Sequence, residues 1–497
     1  MSAGQAWIRV WLPAMLSGGA LALAFPGPGL SVLAFAFPGL LLEAIQNARS
    51  ARRALLAGWL AGTTQWIIAA NWVTPVMHRF GHLPLLLAVI CLGAMSVILA
   101  TTWAASSWLT WLVGPRLGPW MFPACWIALD ALRRFPPYSF PWDPVANALS
   151  NEPALLGSLP VWGATGLSWA VVAVGAGAWA MTRRSSRRGG LVLVAMAVAL
   201  AAAMSVAAPA PEPEGPPVMV AALQPGTPVS LKWEPAAAGR IFDHVIKLTR
   251  QAEARGAALI AWPEGAVPYT LERDPTYREI VTDLARRSDA AIVLNSIGTD
   301  PGGAFTNSAY LVTANGISPH RYDKIHLVPF GEYVPFFGRF AFARGLVREV
   351  GHFTPGSDLD PLTDGRLRLG MAICFEVVFG DHVAAEVRRG ANVLVTISDD
   401  GWYGYSWAPH QHFGQAILRA AETRRWVVRA ALTGISGFIS PEGRVVSRLG
   451  TGRAGVLVQA VEPCGGLTPR VRFGDWWLLV CAVGTLVGLT GAWRQSR

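Results

Sequence analysis

Leu367-Arg368-Leu369-Gly370-Met371-Ala372-Ile373-Cys374-Phe375-Glu376 reads as an apolar strand that runs into a turn. Residues 382–389 follow with a helical pattern, so a strand-to-helix elbow falls at Cys374. A cysteine at such an elbow is pushed out of its sheet to where a substrate can meet it. Taken alone, it can equally be a small buried hydrophobe that closes a strand. Two other stretches bear on the choice. Ala261-Trp262-Pro263-Glu264-Gly265 sets a carboxylate at the end of the apolar run 257–262. Tyr322-Asp323-Lys324-Ile325-His326-Leu327-Val328-Pro329-Phe330-Gly331-Glu332 sets a lysine at the start of a loop.

Around these stretches, residues 218–472 alternate between strand and helix patterns, which points to an α/β domain. Strands are expected at 219–224, 257–262, 291–297, Leu367–Ile373 and Val393–Ser398. A helix at 237–255 carries Ile241, Phe242, Val245, Ile246 and Leu248 on one side and stops at Gly256. A second helix is expected at 275–287, and the stretch 413–428 continues the alternation. Segments 308–313 and 317–322 form a hairpin around Asn315-Gly316, and another turns at Pro441-Glu442-Gly443. No repeat of fixed period interrupts the pattern.

The residues before this domain are of another kind. Hydrophobic residues make up 52% of the 497-residue chain and charged residues only 14%, a balance that suits several membrane spans. Apolar runs of spanning length fall near 6–25, 30–45, 54–73, 83–109, 119–132, 159–181 and 191–208, with one more near 476–493. The first run has no evident cleavage site and further runs follow closely, so it is not read as a removed leader. The expected division is a helical membrane domain at 1–208, a Pro/Glu-rich spacer at 209–217, the α/β domain at 218–472, and a closing membrane helix with a short tail at 473–497.

Arginine placement orients the spans. With the N-terminus in the cytoplasm, the cytoplasmic loops carry Arg49, Arg52, Arg53, Arg116, Arg183, Arg184, Arg187 and Arg188. The opposite loops carry Arg79, Arg133 and Arg134, the last two against the trend. An odd number of spans then delivers the α/β domain to the periplasm. The formal charge of +10 therefore belongs partly to inter-helix loops. No basic cluster coincides with a nucleic-acid-binding motif, so nucleic acid is not expected as a partner.

Of the cysteines, Cys91, Cys125 and Cys481 sit in apolar runs and are expected to pack; Cys464 can in principle bridge to Cys374. No pair has zinc-ligand spacing. A thiol near neutral pH is mostly protonated and needs a base and a positive field to attack. Glu264 is either a surface charge at a strand end or a partly desolvated base with a raised pKa. Lys324 has a compositional argument behind it. The chain has 41 basic side chains, yet its only lysines are Lys232, Lys247 and Lys324. A compact ammonium fits beside an oxyanion and a thiolate where a guanidinium does not. The plainer alternative is a solvated loop lysine. Glu332 is positioned to hold Lys324.

Glu264, Lys324 and Cys374, in that order and each at a strand end, resemble the Glu-Lys-Cys triad of the nitrilase superfamily. With the membrane spans, Leu231-Lys232-Trp233, the long motif from Lys324 and Cys374-Phe375-Glu376, the likeness extends to nearly the whole chain. It then resembles the apolipoprotein N-acyltransferase family. That resemblance implies a multi-pass α-helical membrane domain joined to an α/β nitrilase-like domain, an αββα sandwich. It implies Cys374 as the nucleophile that takes an acyl chain as a thioester, Glu264 as general base and Lys324 as oxyanion stabiliser. Glu332, Glu376 and Phe375 would support them. Trp233 would lie at the substrate entrance, and Trp402, Tyr403 and His412, in or next to a mobile loop over the site, would bind substrate with it. For His410 and His412 the alternative is a loop histidine without a proton-transfer task.

The implied partners are a membrane phospholipid as acyl donor and a diacylglyceryl-modified apolipoprotein as acceptor, with membrane lipid around a monomer in a bacterial inner membrane. No metal or organic cofactor is called for. Three departures stand out. Phe375 replaces a common Tyr, Leu432-Thr433-Gly434 replaces an Asn-Thr-Gly-like run, and the continuation after Phe140-Pro141-Trp142 is altered. Two rival functions remain at this point: a membrane-tethered amidase or nitrilase that passes the acyl group to water, and a transporter or scaffold with an inactive domain.

Overall fold

The computed structural model describes residues 7–136, 138–232, 234–329, 331–333 and 353–495. The chain divides into two compact units: 1–79, 83–209 and 473–497 form one, and 80–82 with 210–472 form the other.

The first unit is helical. Its longer helices are α1 (Leu12–Ala24), α2 (Leu33–Asn47), α3 (Ala51–Ala69), α4 (Leu85–Leu99), α5 (Thr101–Val113), α6 (Gly118–Asp130), α7 (Leu159–Met181) and α8 (Arg187–Val206), with Trp476–Gln495 returning to it. Among the described residues, four helical runs are long and apolar enough to cross a membrane: Trp7–Ala24, Leu85–Val113, Pro153–Met181 and Arg187–Val206. The runs Leu33–Asn47 and Trp476–Gly491 are apolar but shorter. The spans expected at 54–73 and 119–132 are α3 and α6, and neither meets both conditions. Arg52, Arg53, Thr63, Thr64 and Gln65 dilute the first, and the second has 13 residues, about 20 Å of helix.

Close helix packing in this unit depends on small residues. A Cβ at Gly18 of α1 would stand 2.0 Å from the carbonyl oxygen of Ala61 on α3, so only glycine allows that approach. Outward-facing Leu86, Ile90, Ile98, Leu191 and Val198 are exposed, as lipid-facing side chains are. The two arginines that ran against the charge trend are neutralised inside the unit. Arg133 is buried, pairs with Asp130 through two bonds of 2.8 Å and donates to the carbonyls of Phe140 and Trp142. Arg134 pairs with Asp475 at 2.5 Å. They are fixed structural groups and not free loop charges.

The second unit is a four-layer αββα sandwich. Its strands are β1 (Val218–Gln224), β2 (Leu259–Ala261), β3 (Ala291–Thr299), β4 (Phe305–Thr313), β5 (Gly316–Ile317), β6 (Tyr322–Asp323), β7 (Leu362–Asp364), β8 (Leu367–Ile373), β9 (Val393–Ser398), β10 (Val427–Ala431), β11 (Ser436–Ile439), β12 (Val445–Leu449) and β13 (Gly455–Val461). One large sheet runs β13-β1-β2-β3-β4-β5, with β6 paired to β4; the other large sheet runs β12-β11-β10-β9-β8-β7, and Glu212–Pro213 pair with Cys464–Gly465 in a separate two-stranded sheet. The expected hairpins are both present, as β4–β5 and β11–β12.

Strand alternation builds the layers. Val220 and Ala222 of β1 point between the sheets, where they join Leu369, Met371 and Ile373 of β8 and Val393, Val395 and Ile397 of β9. Ala221 and Leu223 point the other way, onto Val245 and Leu248 of α9 (Ala238–Glu253) and Val281 and Leu284 of α10 (Pro275–Ser288). Each fully buried Val or Leu in these layers contributes roughly 1.5–3 kcal/mol. Helices α11 (Gly380–Arg388) and α12 (Ala408–Thr423) cover the second sheet.

One element departs from expectation. The stretch 413–428 is not a single segment. Helix α12 starts at Ala408, with Pro409 in its first turn where a missing N–H costs nothing. It ends at the left-handed Arg424, and β10 takes over at Val427. His410 and His412 therefore lie in a helix and not in a loop.

Candidate active site

Cys374 follows directly on β8, and its φ of 54° lies in the left-handed region. That conformation is strained for a residue with a Cβ and has to be held from outside. Two buried side chains hold it. Glu376 accepts the N–H of Ile373 through Oε2 at 2.8 Å, on the near side of the elbow. His412 donates from Nε2 to the carbonyl of Cys374 at 2.9 Å, on the far side. The cysteine is 7% exposed and is a free thiol, as is Cys464.

Glu264 and Lys324 arrive from the other sheet. Glu264 follows β2, and Lys324 follows β6, where its N–H donates to the carbonyl of Asn307. The Lys324 Nζ stands 3.5 Å from Glu264 Oε1 and 2.9 Å from Glu332 Oε1. Asn307 bridges the two carboxylates, donating to Glu264 Oε1 at 2.9 Å and to Glu332 Oε1 at 2.7 Å. The second oxygen of Glu264 accepts the N–H of Asp399 at 3.0 Å, and that of Glu332 accepts the N–H of Val328 at 2.8 Å. Both acids are thus fixed at both oxygens.

The ionisation states follow from these contacts. Burial pushes the Cys374 thiol well up, and the Glu264 charge adds to this; Lys324 opposes them without overcoming them. Burial pulls the Lys324 pKa down, but Glu264 and Glu332 outweigh it and hold the amine as an ammonium. Burial would likewise raise Glu264, but Lys324, Asn307, the Asp399 N–H and Lys232 together hold its carboxyl below the usual range. Neither reading offered by the sequence fits. Glu264 is desolvated, yet it stays ionised. The resting set is thiol, carboxylate and ammonium, with a proton acceptor and a positive charge both in electrostatic contact with the sulfur.

The remaining expected residues are placed as follows. Glu332 and Glu376 support the site directly. Beyond Ile373, Glu376 accepts from the Tyr322 hydroxyl at 2.8 Å and from the N–H groups of Ile325 and His326 at 2.7 and 3.0 Å, tying the elbow to the Lys324 loop. Phe375 is buried and meets Phe379 edge-on. Trp402 and Tyr403 lie half-buried in the turn Asp400–Tyr403. His412, expected among the substrate contacts, is fully buried and hydrogen-bonded to the Cys374 carbonyl and Asp400. Trp233 lies outside the described residues, as does the apolar stretch 334–337.

Sequence reasoning missed Asn307, Ser398, Asp399, Asp400 and Arg429. An uncharged amide inside a strand gives no periodic signal, and Asn307 had fallen just outside the expected strand start. The run Ser398-Asp399-Asp400 did carry a cue, because two adjacent acids at a strand end are seldom buried without partners. Both are buried here: Asp399 pairs with Lys232 at 2.9 Å and Asp400 with Arg429 at 2.9 Å. Among the described residues no group of His, Cys, Asp or Glu is arranged to hold a metal ion.

Residues 219–464 match the carbon-nitrogen hydrolase family model, and residues 17–177 match that of the apolipoprotein N-acyltransferase N-terminal domain. The apolipoprotein N-acyltransferase of Geobacter metallireducens is 32% identical, over 98% of this chain and 96% of its own length. That of Bordetella bronchiseptica is 33% identical, over 99% and 98%. The chain belongs to the apolipoprotein N-acyltransferase family. In this family member the hydrolase-type match spans β1 to the end of β13, and so takes in Glu264, Lys324 and Cys374. An amidase of Nesterenkonia AN1 from the nitrilase superfamily overlays 54% of this chain and 98% of its own, at 20% identity and a TM-score of 0.40.

Proposed function

We propose that this protein transfers an acyl chain from a membrane phospholipid to the N-terminal α-amino group of a diacylglyceryl-cysteine on an apolipoprotein, in two steps through a thioester on Cys374. In the first step Glu264 takes the thiol proton as the sulfur attacks the ester carbonyl. Glu264 then passes that proton to the departing lysophospholipid oxygen. In the second step the free amine attacks the thioester, Glu264 takes the proton that the amine sheds, the sulfur–carbon bond breaks, and that proton returns to the departing sulfur. Lys324 faces the oxyanion in both steps, where a preorganised positive charge is worth most. Glu332 anchors Lys324, and Asn307 anchors Glu264 and Glu332.

One observation carries the reading. A carboxylate held ionised and a fully buried ammonium, 3.5 Å apart, share the surroundings of a cysteine held at a left-handed elbow. A carboxylate kept below its usual range is a weak base at rest. It becomes an effective one when the developing oxyanion draws the Lys324 field toward itself. Membership in the family supports the acyl acceptor, and the apolar helical runs support a donor taken from the bilayer. The arginine distribution supports a periplasmic location for residues 218–472, between a membrane domain at 1–208 and a closing helix at 473–497.

Intact mass spectrometry after incubation with phospholipid alone tests both donor and nucleophile. The expected result is a gain of one acyl chain, located on Cys374, lost on hydroxylamine treatment and missing from Cys374→Ala. Free fatty acid as the main product when acceptor peptide is present would instead mark a hydrolase, and a Cys374→Ala protein that still acylates would end the reading.

A further inference from the structure

Asn295 stands on β3 and has no part in the transfer steps above, yet both ends of its amide are committed beside Glu264. Its Oδ1 accepts the N–H of Gly265 at 2.9 Å. Its Nδ2 donates to Asn307 Oδ1 at 2.7 Å and to the carbonyl of Ser308 at 3.0 Å. A backbone N–H can only donate and a backbone carbonyl can only accept, so Gly265 and Ser308 settle which way the Asn295 amide faces. Asn307 is settled in turn. Its oxygen takes a proton from Asn295, and its two Nδ2 protons go one each to Glu264 Oε1 at 2.9 Å and Glu332 Oε1 at 2.7 Å.

These bonds close on themselves. The Gly265 N–H donates to Asn295, Asn295 donates to Asn307, and Asn307 donates to the side chain of Glu264, the chain neighbour of the residue where the circuit began. Hydrogen bonds that run in one direction strengthen one another, since an amide that accepts at its oxygen donates better from its nitrogen. The circuit also ties the Glu264 carboxylate to its own backbone by way of β3 and β4, which are paired along their length. Gly265, at a left-handed φ of 57°, makes its turn without the steric cost another residue would meet. A base held in this way has given up its rotamer freedom before any substrate arrives.

We propose that Asn295 is a positioning residue for the general base, the member that closes a ring of hydrogen bonds from the Gly265 N–H to the Glu264 carboxylate. It acts through Asn307 and not on the reacting atoms. By holding the Asn307 oxygen it keeps that amide donating to Glu264, which favours the charged form of the base and fixes where it points. The role rests on Glu264 being the base in the reading above. The titratable groups that also face Glu264 are Lys324 and Glu332 from the loop after β6, Cys374 from the elbow, Asp399 and Tyr403 from the turn after β9, and Lys232. Asn295 carries no charge, so replacing it changes the base only through the bonds it makes.

Asn295→Leu tests the role in the full-length protein, beside Asn307→Ala and the double variant. Leucine keeps the bulk and deletes all three bonds. The readout is single-turnover acylation of Cys374 by phospholipid as a function of pH. Asn307 donates to the charged form of Glu264, so weakening that bond raises the pKa of the base and moves the acid limb to higher pH. Losing one neutral hydrogen bond corresponds to about half a pH unit to one unit, and the limb of Asn295→Leu should move up by that much. With Asn307 gone the ring is already open, so the double variant should share the limb of Asn307→Ala. An unmoved limb in Asn295→Leu overturns the proposal, whatever the unfolding temperature does, because it marks a residue that only fills its strand. A double variant shifted beyond Asn307→Ala by half the single variant's increment or more also overturns it, because the two asparagines would then act separately. Asn295→Ala reads the same limb where the leucine variant does not fold. A parent protein that never takes an acyl chain sinks the acyl-transfer reading instead. Alkylation of Cys374 by iodoacetamide, which draws on the same base, then supplies the limb that judges Asn295.

Discussion

Asn307 is the residue whose removal should say most about how Glu264 is tuned. Its amide donates to the Glu264 carboxylate and so stabilises the charged form. With the pKa held below the ordinary range, the base is ionised at neutral pH and is lost only as pH falls through that depressed value. The rate of Cys374 acylation should therefore hold down through the range in which an ordinary glutamate, pKa about 4.3, is still ionised. Asn307→Ala deletes one hydrogen bond to a charged group, worth about 1.5–3 kcal/mol. The acid limb of the rate profile should then move up by roughly one to two pH units. An unchanged limb would mean that Asn307 only fills space. Leu432 makes the opposite point about single residues. It stands where a side-chain donor was missed, yet its backbone N–H and carbonyl bond Ser398 and Gly226, so the strand connection holds without an amide.

At the scale of elements, one ion pair joins three segments behind the elbow. Arg429 comes from β10, Asp400 from the turn after β9, and their common neighbour His412 from α12, which reaches across to Cys374. Arg429→Met keeps the bulk but leaves Asp400 with a buried, under-paired charge. Losing one partner of such a pair costs about 3–5 kcal/mol. Denaturant or thermal unfolding of the detergent-solubilised protein should register that loss, and a change below about 1 kcal/mol would show that Asp400 simply protonates. The elements themselves were largely legible. β8 and β9 appear where the apolar alternation set them, and β1, α9, α10 and β3 lie within a residue or two of expectation. Helix α12 was misread because its first turn, Ala408-Pro409-His410-Gln411, looks polar and breaker-like. Its apolar face shows only when the second sheet is there to bury it.

For the whole molecule, the sequence carries a topological prediction that depends on charge alone. Arg133 and Arg134, which seemed to weaken it, are consumed by Asp130 and Asp475 inside the helical unit. Discounting them sharpens the bias toward arginine in the loops proposed to be cytoplasmic. A cysteine introduced at the exposed Glu279 of α10 should then react with a membrane-impermeant maleimide in intact spheroplasts. Labelling only after the cells are broken open would put residues 218–472 on the wrong side and remove the case for a periplasmic acceptor.

The amino-acid sequence by itself determined the two-part character of the chain, the alternation that makes a sandwich, and the identities of Glu264, Lys324 and Cys374. Each of these is written in local pattern: apolar run length, period, and scarce residue types at strand ends. Only the tertiary structure decided what surrounds the sulfur. Asn307, Ser398, Asp400, His412 and Arg429 come from separate strands, turns and a helix, and what they do depends on bond directions across space. Those neighbours set the sign as well: burial by itself would raise the Glu264 pKa, and Lys324, Asn307, the Asp399 N–H and Lys232 overcome it and hold the carboxylate ionised.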